Sequence, residues 1–148
     1  MTKLLKIGEV AKQADITVET LRFYQTEKLL TPNQTKESGY RLYSPQDQQK
    51  LNFILHSKKV GFSLSEIKQL LSLRTDKDQH TCEEVKRYTG DKISEIESKI
   101  RDLQKMRQAL SSLHNACCGG LESAKQCTIL NSLDDPELFA RTNNENLR

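Results

Sequence analysis

Apolar residues recur at intervals of three and four along most of the chain, a spacing typical of amphipathic helices. Two short helices are predicted from "KIGEVAKQA" and "DITVETLRFYQ", with about four residues between them and Thr17 as the N-cap of the second. This arrangement is a helix-turn-helix, whose second helix is suited to the major groove of DNA. The residues expected at or beside the DNA-facing surface are Thr17, Glu19, Thr20, Arg22 and Phe23.

A strand-like pattern follows the two helices. Pro32 and Asn33 interrupt regular structure, Ser38 and Gly39 favour a turn, and "YRLY" alternates as a strand does. The segment therefore predicts a small hairpin, or wing, next to the helix-turn-helix.

Two further helices are predicted from their N-terminal capping signals. In "SPQD", Ser44 suits the N-cap and Pro45 suits the first helical position. In "SLSE", Ser63 and Glu66 form a capping box. We assign residues 1–75 to a winged helix-turn-helix DNA-binding domain.

A long proline-free stretch, 81–116, predicts one extended helix. Thr81 and Glu84 form a capping box at its start, and Gly119-Gly120 follows its end. One exposed apolar seam on such a helix needs a partner, so we expect it to join two copies of the chain, with its lysines facing solvent. Packing against the chain's own head is the alternative. The seam residues are Ile93, Ile96, Ile100, Leu103, Met106, Leu110 and Leu113.

All four cysteines lie near the ends of this predicted helix. Cys82 follows the N-cap, where the helix dipole favours thiolate, and Cys117, Cys118 and Cys127 lie beyond the other end. A rise of about 1.5 Å per residue separates Cys82 from Cys117 by roughly 50 Å. In an antiparallel pair of helices, however, the start of one lies beside the end of the other. We therefore predict metal sites in which Cys82 of one chain joins the three cysteines of its partner.

Composition and charge narrow the class of protein. Aromatic residues make up only 5% of the chain, which suits helices with thin apolar stripes better than a thick β-core. Residues 1–60 carry a net charge of +4 and residues 61–148 a net charge of −1, so a polyanion partner fits the first part. Neither a membrane span nor a signal peptide is visible. We expect a cytoplasmic protein with reduced thiols and no membrane partner.

Three segments resemble the MerR family of bacterial transcriptional regulators: "IGEVAKQADITVETLRFYQTEKLL", "GYRLYSPQD" and "LHSKKVGFSLSEIKQLLSLR", in that order within residues 7–74. The resemblance implies a homodimer on promoter DNA that an effector causes to untwist and bend the DNA, so that RNA polymerase engages both promoter elements. Phe23 and Gln25 depart from the frequent "LRYYE", which leaves the preferred base sequence open. The resemblance also implies DNA contacts, mainly to phosphates, by Arg22, Tyr24, Tyr40 and Arg41.

The tail "CCGGLESAKQC" resembles the zinc-responsive branch of that family. This implies up to two Zn(II) ions per site. One ion would be held by Cys117, Cys127 and the partner's Cys82. The other would be held by Cys118, the residue at position 122 and the same bridging Cys82. The zinc regulators have His at that position, whereas Glu122 stands here, a harder but acceptable zinc ligand, so one or two ions per site remain open.

The sequence therefore predicts a mainly α fold: a winged helix-turn-helix head, a long antiparallel coiled-coil dimerisation helix at 81–116, a metal-binding loop and short helix at 117–135, and a flexible tail at 136–148. The predicted function is a metal-responsive regulator, with Zn(II) as the expected ion, that activates genes of metal export or resistance. The alternatives are a Cd(II) or Pb(II) sensor, a DNA-binding protein with a purely structural zinc site, and a thiol-based redox sensor. No catalytic constellation is visible, so an enzyme is not expected.

Overall fold

The computed structural model describes residues 3–32, 34–35 and 41–138, with the backbone alone described at 34, 35 and 41. Within these ranges the fold is mainly helical, as predicted. The chain divides into two compact units, Met1–Lys92 and Ile93–Arg148. The α-helices are α1 Ile7–Gln13, α2 Val18–Thr26, α3 Pro45–Lys59, α4 Leu64–Thr75, α5 Cys82–Ala116 and α6 Thr128–Leu133, with short 3-10 helices at Lys77–Gln79 and Ala124–Gln126.

A small antiparallel sheet lies in the first unit. Its strands are β1 Leu5–Lys6, β2 Gln34–Thr35 and β3 Arg41–Tyr43, and β3 lies in the centre. Leu42 of β3 is opposite Lys6 on one side and Gln34 on the other. The pairing of β2 with β3 confirms the predicted hairpin, whose positions 36–40 lie outside the described residues. The contribution of β1 was not predicted, because two residues are too few to show an alternating pattern.

The turns at both ends of α2 use left-handed backbone conformations. Asp15, in the turn that follows α1, has a φ of 55°, and the N–H of Ile16 donates to the carbonyl of Ala11 at 3.0 Å. Lys28, just beyond α2, has a φ of 60°, and the chain then continues into the buried Leu29. Since non-glycine residues adopt this conformation reluctantly, both turns are held by the surrounding structure.

The predicted caps of α3 and α4 are present as reciprocal hydrogen bonds. The N–H of Asp47 donates to Oγ of Ser44 at 3.1 Å, and the N–H of Ser44 donates to Oδ2 of Asp47 at 2.8 Å. In α4, the N–H of Glu66 donates to Oγ of Ser63 at 3.3 Å, and the N–H of Ser63 donates to Oε1 of Glu66 at 2.9 Å. These capping boxes satisfy backbone donors that the helices leave unpaired.

The hydrophobic core lies in the first unit, where α1 to α4 and β3 meet. Its most deeply buried members are Val10, Leu21, Tyr24, Leu29, Leu30, Tyr43, Leu51, Ile54 and Ile67. Phe62 is buried and Tyr88, near the start of α5, packs against the core as a half-buried residue. The beginning of α5 therefore belongs to the head. The predicted domain ranges stay predictions.

Lys92 corrects the expectation that all lysines of the long helix face solvent. It is only 5% exposed, its Nζ lies 2.9 Å from Oε1 of Glu66, and it lies 5.5 Å from the centre of the Phe62 ring. Tyr88 and Lys92 are four residues apart and so share one face of α5. This face is turned toward the head.

The second unit contains the rest of α5 and the tail. The seam is open in the single chain, since six of its residues are large exposed hydrophobics with exposures of 38% to 65%: Ile93, Ile96, Ile100, Leu103, Met106 and Leu110. After α5, Gly119 adopts a φ of 68°, consistent with the predicted stop. None of the described helices combines the length and apolarity that a bilayer crossing requires.

Candidate nucleic-acid interface and metal centre

The outer face of α2 presents most of the residues predicted to lie near DNA. Glu19, Arg22 and Phe23 are exposed and, at a spacing of three and four, lie on one side of the helix. Thr17 is the N-cap and Thr20 is half-buried; the N–H of Thr20 donates to Oγ1 of Thr17 at 3.1 Å. Phe23 is 49% exposed, a large share for an aromatic ring. The face thus offers a cation, Arg22, which suits a phosphate contact, beside an apolar surface, Phe23, which suits a contact in a groove.

Tyr24, which the resemblance places among the DNA contacts, is turned inward in the single chain. It is 2% exposed and belongs to the core, and its hydroxyl is buried without a hydrogen-bond partner among the described residues. The position lies three residues after Leu21, on the inner face of α2, so the ring points away from the exposed side chains. Of the other two residues taken from the resemblance, Tyr40 lies outside the described residues and only the backbone of Arg41, in β3, is described.

The start of α5 presents Cys82 on the surface. Cys82 is the first residue of the helix and is exposed. The predicted capping box holds this end, since the N–H of Glu84 donates to Oγ1 of Thr81 at 3.2 Å. His80 contacts the same carboxylate, with 2.8 Å between its Nδ1 and Oε2 of Glu84. The His80 hydrogen bond, and less so that of the Thr81 N–H, lowers the pKa of Glu84. His80 is thus part of the cap.

Cys117 and Cys127 are neighbours in the tail. Both are half-buried, and Cys127 is the N-cap of α6. The backbone N–H groups of Leu130 and Ile129, together with a hydrogen bond that Cys127 accepts from the side chain of Cys117, hold the pKa of the Cys127 thiol below its usual range. A thiol with a lowered pKa provides more of the thiolate form that binds metals.

Cys118 and Glu122 form a second pair. The thiol of Cys118 donates to Oε2 of Glu122 at 3.7 Å, and both side chains are exposed. The carboxylate lies directly over Gly120, so close that a Cβ at that position would overlap it. The sequence indicated Glu122 as a candidate ligand but not the contribution of Gly120. The sequence feature that could have indicated this contribution is the position of Gly120 midway between Cys118 and Glu122, two candidate donors that lie four residues apart.

The donor set fits a divalent metal ion such as Zn(II), which takes thiolate, imidazole and carboxylate ligands in a four-coordinate shell. Each pair in the tail provides two donors and so needs others to complete such a shell. Among the described residues of a single chain, no group of three or more His, Cys, Asp or Glu side chains is arranged to hold a metal ion.

A winged helix-turn-helix head followed by a long helix is the architecture of a DNA-binding transcriptional regulator, and comparison with known proteins agrees. The family model described as MerR HTH family regulatory protein matches residues 5–73, and the model described as MerR, DNA binding matches residues 48–113. This chain belongs to the MerR family. The models and relatives it matches are regulators, not enzymes.

Two curated relatives and one solved structure illustrate the similarity. The chain is 40% identical over 131 residues to the HTH-type transcriptional regulator ZntR of Escherichia coli K12, covering 88% of this chain and 93% of the relative. It is 39% identical over 130 residues to a probable heavy metal-dependent transcriptional regulator of Haemophilus influenzae, covering 88% and 99%. The crystal structure of the transcription regulator PbrR691 from Ralstonia metallidurans CH34 in complex with lead(II) is similar with a TM-score of 0.76 and 36% identity, covering 87% and 98%.

Proposed function

We propose that this protein is a Zn(II)-responsive activator that binds promoter DNA as a homodimer and, when loaded with metal, distorts the promoter so that RNA polymerase transcribes genes of metal export or resistance. The observation that carries the proposal is the arrangement of the tail donors in two pairs, Cys117 with Cys127 and Cys118 with Glu122. A relative described as heavy metal-dependent and a similar structure in complex with lead(II) support metal as the effector.

The exposed seam of α5 supports the homodimer. Six large apolar side chains stand open to solvent along one helix, and each would contribute about 1.5–3 kcal/mol if fully buried. A second copy of the same helix, running antiparallel, offers a matching seam. Since α5 is continuous over 35 residues, or about 50 Å, this pairing sets the start of one helix beside the end of the other. The exposed Cys82 then lies within reach of the partner's tail.

Each pair of donors in the tail would gain Cys82 of the partner subunit. Cys117 and Cys127 with that thiolate would hold one ion, and Cys118 and Glu122 with the same thiolate would hold a second. When bound, the ions would supply the positive charge that holds thiolates of both chains together. The carboxylate of Glu122 favours Zn(II) over Cd(II), because a hard oxygen donor suits Zn(II) better than it suits the softer Cd(II). Cd(II) and Pb(II) are the alternatives.

The DNA-binding surface is the outer face of α2. Arg22 would contact a phosphate, and Phe23 and Thr20 would lie against sugars or base edges. A link between the tail of one chain and the long helix of the other favours one arrangement of the two heads on the promoter. A preference of about 3 kcal/mol changes the population of that arrangement about a hundredfold, which is sufficient for a switch.

Zinc titration of the reduced protein, followed by native mass spectrometry, tests the ligand set. Wild type should bind zinc tightly, and Cys82→Ser should lose tight zinc at every site while it stays a dimer, because one thiolate serves both donor pairs. Ser98→Ala, also on the exposed surface of α5, is the matched control and should bind zinc as wild type does. Full zinc stoichiometry in Cys82→Ser would contradict the bridging role.

Footprinting and transcription in vitro test the response. The apo protein and the zinc-loaded protein should both protect the operator, and zinc should add promoter distortion and transcript. If zinc abolished DNA binding, the protein would act by derepression and the proposal would be wrong. A structural zinc site predicts instead that a chelator unfolds the protein. We expect the chelated protein to keep its helical circular dichroism.

A further inference from the structure

The side chain of Glu122 fills the space where a Cβ at Gly120 would lie, whereas a Cβ at Gly119 would meet nothing within 4 Å. A Cβ built at position 120 would lie 2.9 Å from Cδ of Glu122 and closer still to Oε2, inside any normal contact distance. The same Oε2 accepts the hydrogen bond from Cys118. The carboxylate therefore occupies the volume that any other residue at position 120 would fill.

We propose that Gly120 is the positioning residue that holds the carboxylate of Glu122 beside Cys118, so that this pair can bind a second metal ion. The inference rests on the proposed function and identifies what sets the metal stoichiometry at that site. A larger residue at position 120 would displace the carboxylate, because the end of a flexible side chain moves more easily than backbone does. Glu122 would then leave Cys118 without its oxygen partner.

The backbone at Gly120 does not by itself require glycine. Gly119 has a φ of 68°, where any other residue would be strained, whereas Gly120 lies outside that left-handed region. Gly120→Ala should therefore leave the loop conformation intact and act on the carboxylate alone. Gly119→Ala would alter the backbone as well and is unsuitable as a test.

The chemical consequence is confined to one donor pair. Without the carboxylate, Cys118 would share an ion only with the partner's Cys82, too few ligands for tight binding. The other pair, Cys117 and Cys127, contains neither residue and should keep its ion. The protein would then bind one ion per site rather than two.

A double-mutant cycle in zinc binding separates this role from a general effect on the loop. The dimeric protein is titrated with Zn(II) against a chelating indicator, and bound ions are counted by native mass spectrometry, for wild type, Gly120→Ala, Glu122→Gln and the double variant. We expect Gly120→Ala to weaken the second ion about tenfold to a hundredfold, the range found when a group that orients a metal ligand is removed. It should have no further effect once Glu122 is replaced.

Gly90→Ala is the matched control, since it adds the same methyl group at an exposed position of α5 with nothing within 4 Å. It should bind zinc as wild type does. Equal effects of Gly120→Ala with and without Glu122 would overturn the inference, as would a wild-type protein that binds one ion per site with an affinity that Glu122→Gln leaves unchanged. In both cases the proposed function would stand. A wild type that binds no zinc would refute the proposed function itself.

Discussion

Lys92 and Glu66 form an ion pair with unequal burial, 2.9 Å from Nζ to Oε1, in which the side chain of Lys92 is 6% exposed and that of Glu66 is 32% exposed. The Lys92 hydrogen bond and those from the N–H and hydroxyl of Ser63 lower the pKa of Glu66 to about 2. The pair joins the first turns of α5 to the start of α4 within the first unit. Because the ammonium of Lys92 is more deeply buried than the carboxylate of Glu66, losing its partner's charge should cost Lys92 more free energy than it costs Glu66.

Glu66→Gln should therefore destabilise the protein more than Lys92→Met does. Glu66→Gln removes a negative charge that faces a buried ammonium, and we expect a loss of about 1–3 kcal/mol in the free energy of unfolding. Lys92→Met keeps the aliphatic packing against Phe62 and leaves Glu66 partly in water, so it should cost less than about 1 kcal/mol. Urea unfolding of both variants measures the difference, and the reverse order would contradict the assignment.

The same pair predicts a dependence of stability on pH. The pKa of Glu66 is lower in the folded protein than its ordinary value of 4.5, so its contribution is present above about pH 4.5 and is lost as the pH falls toward 2. We expect wild type to lose more stability than Glu66→Gln between pH 5.5 and about pH 3. Thermal unfolding of both proteins over this range checks the sign. Parallel curves would show that the carboxylate carries no such contribution.

Tyr24→Phe should leave DNA binding unchanged, because the structure places the ring in the core. The hydroxyl is buried without a partner among the described residues, and its removal should raise the free energy of unfolding by as much as about 1 kcal/mol or leave it unchanged. Thermal unfolding and operator affinity are measured together. A loss of affinity without a loss of stability would show that the hydroxyl of Tyr24 contributes to DNA binding.

Arg22→Ala should weaken DNA binding across sequences and lower its salt dependence. Each phosphate contact contributes about one unit to the slope of log affinity against log salt, so the slope should fall by about 1 per half-site. Titrations at several salt concentrations measure it. Lys105→Ala, on the exposed surface of α5, removes the same charge away from the predicted DNA face. A fall of the same size in this control would mean that only net charge is at work.

A charge in the seam of α5 should break the homodimer. Leu103 is 62% exposed in the single chain, and Leu103→Lys would set a charge where burial against the partner is expected, at a cost of at least about 2 kcal/mol per copy. Sedimentation equilibrium should show a larger share of monomer. Gln104→Lys adds the same side chain at an exposed position outside the seam and should stay dimeric. Unchanged association of Leu103→Lys would exclude this seam as the interface.

Features set by a few neighbouring residues were predictable from the sequence. The caps at Thr17, Ser44 and Ser63 are local hydrogen bonds between residues three apart, and each appears where the pattern predicted it. Such signals do not depend on what the helix later packs against.

Features set by packing were not predictable in the same way. Lys92 looks like one more lysine on a charged helix, and only the head residues that face it make it buried. Tyr24 sits one residue, or about 100° of helical rotation, from the exposed Phe23, so sequence similarity alone could not separate their roles. The overlap of Glu122 with Gly120 depends on the path of one loop.

The two left-handed turns that bracket α2, at Asp15 and Lys28, have a consequence for how such a protein diversifies. They fix where this helix enters and leaves the head by means of backbone geometry, independently of the side chains at positions 19, 22 and 23 that point outward. Those few outward groups can therefore be exchanged while the scaffold that presents them stays the same, and we expect such exchanges to change DNA binding without changing the fold.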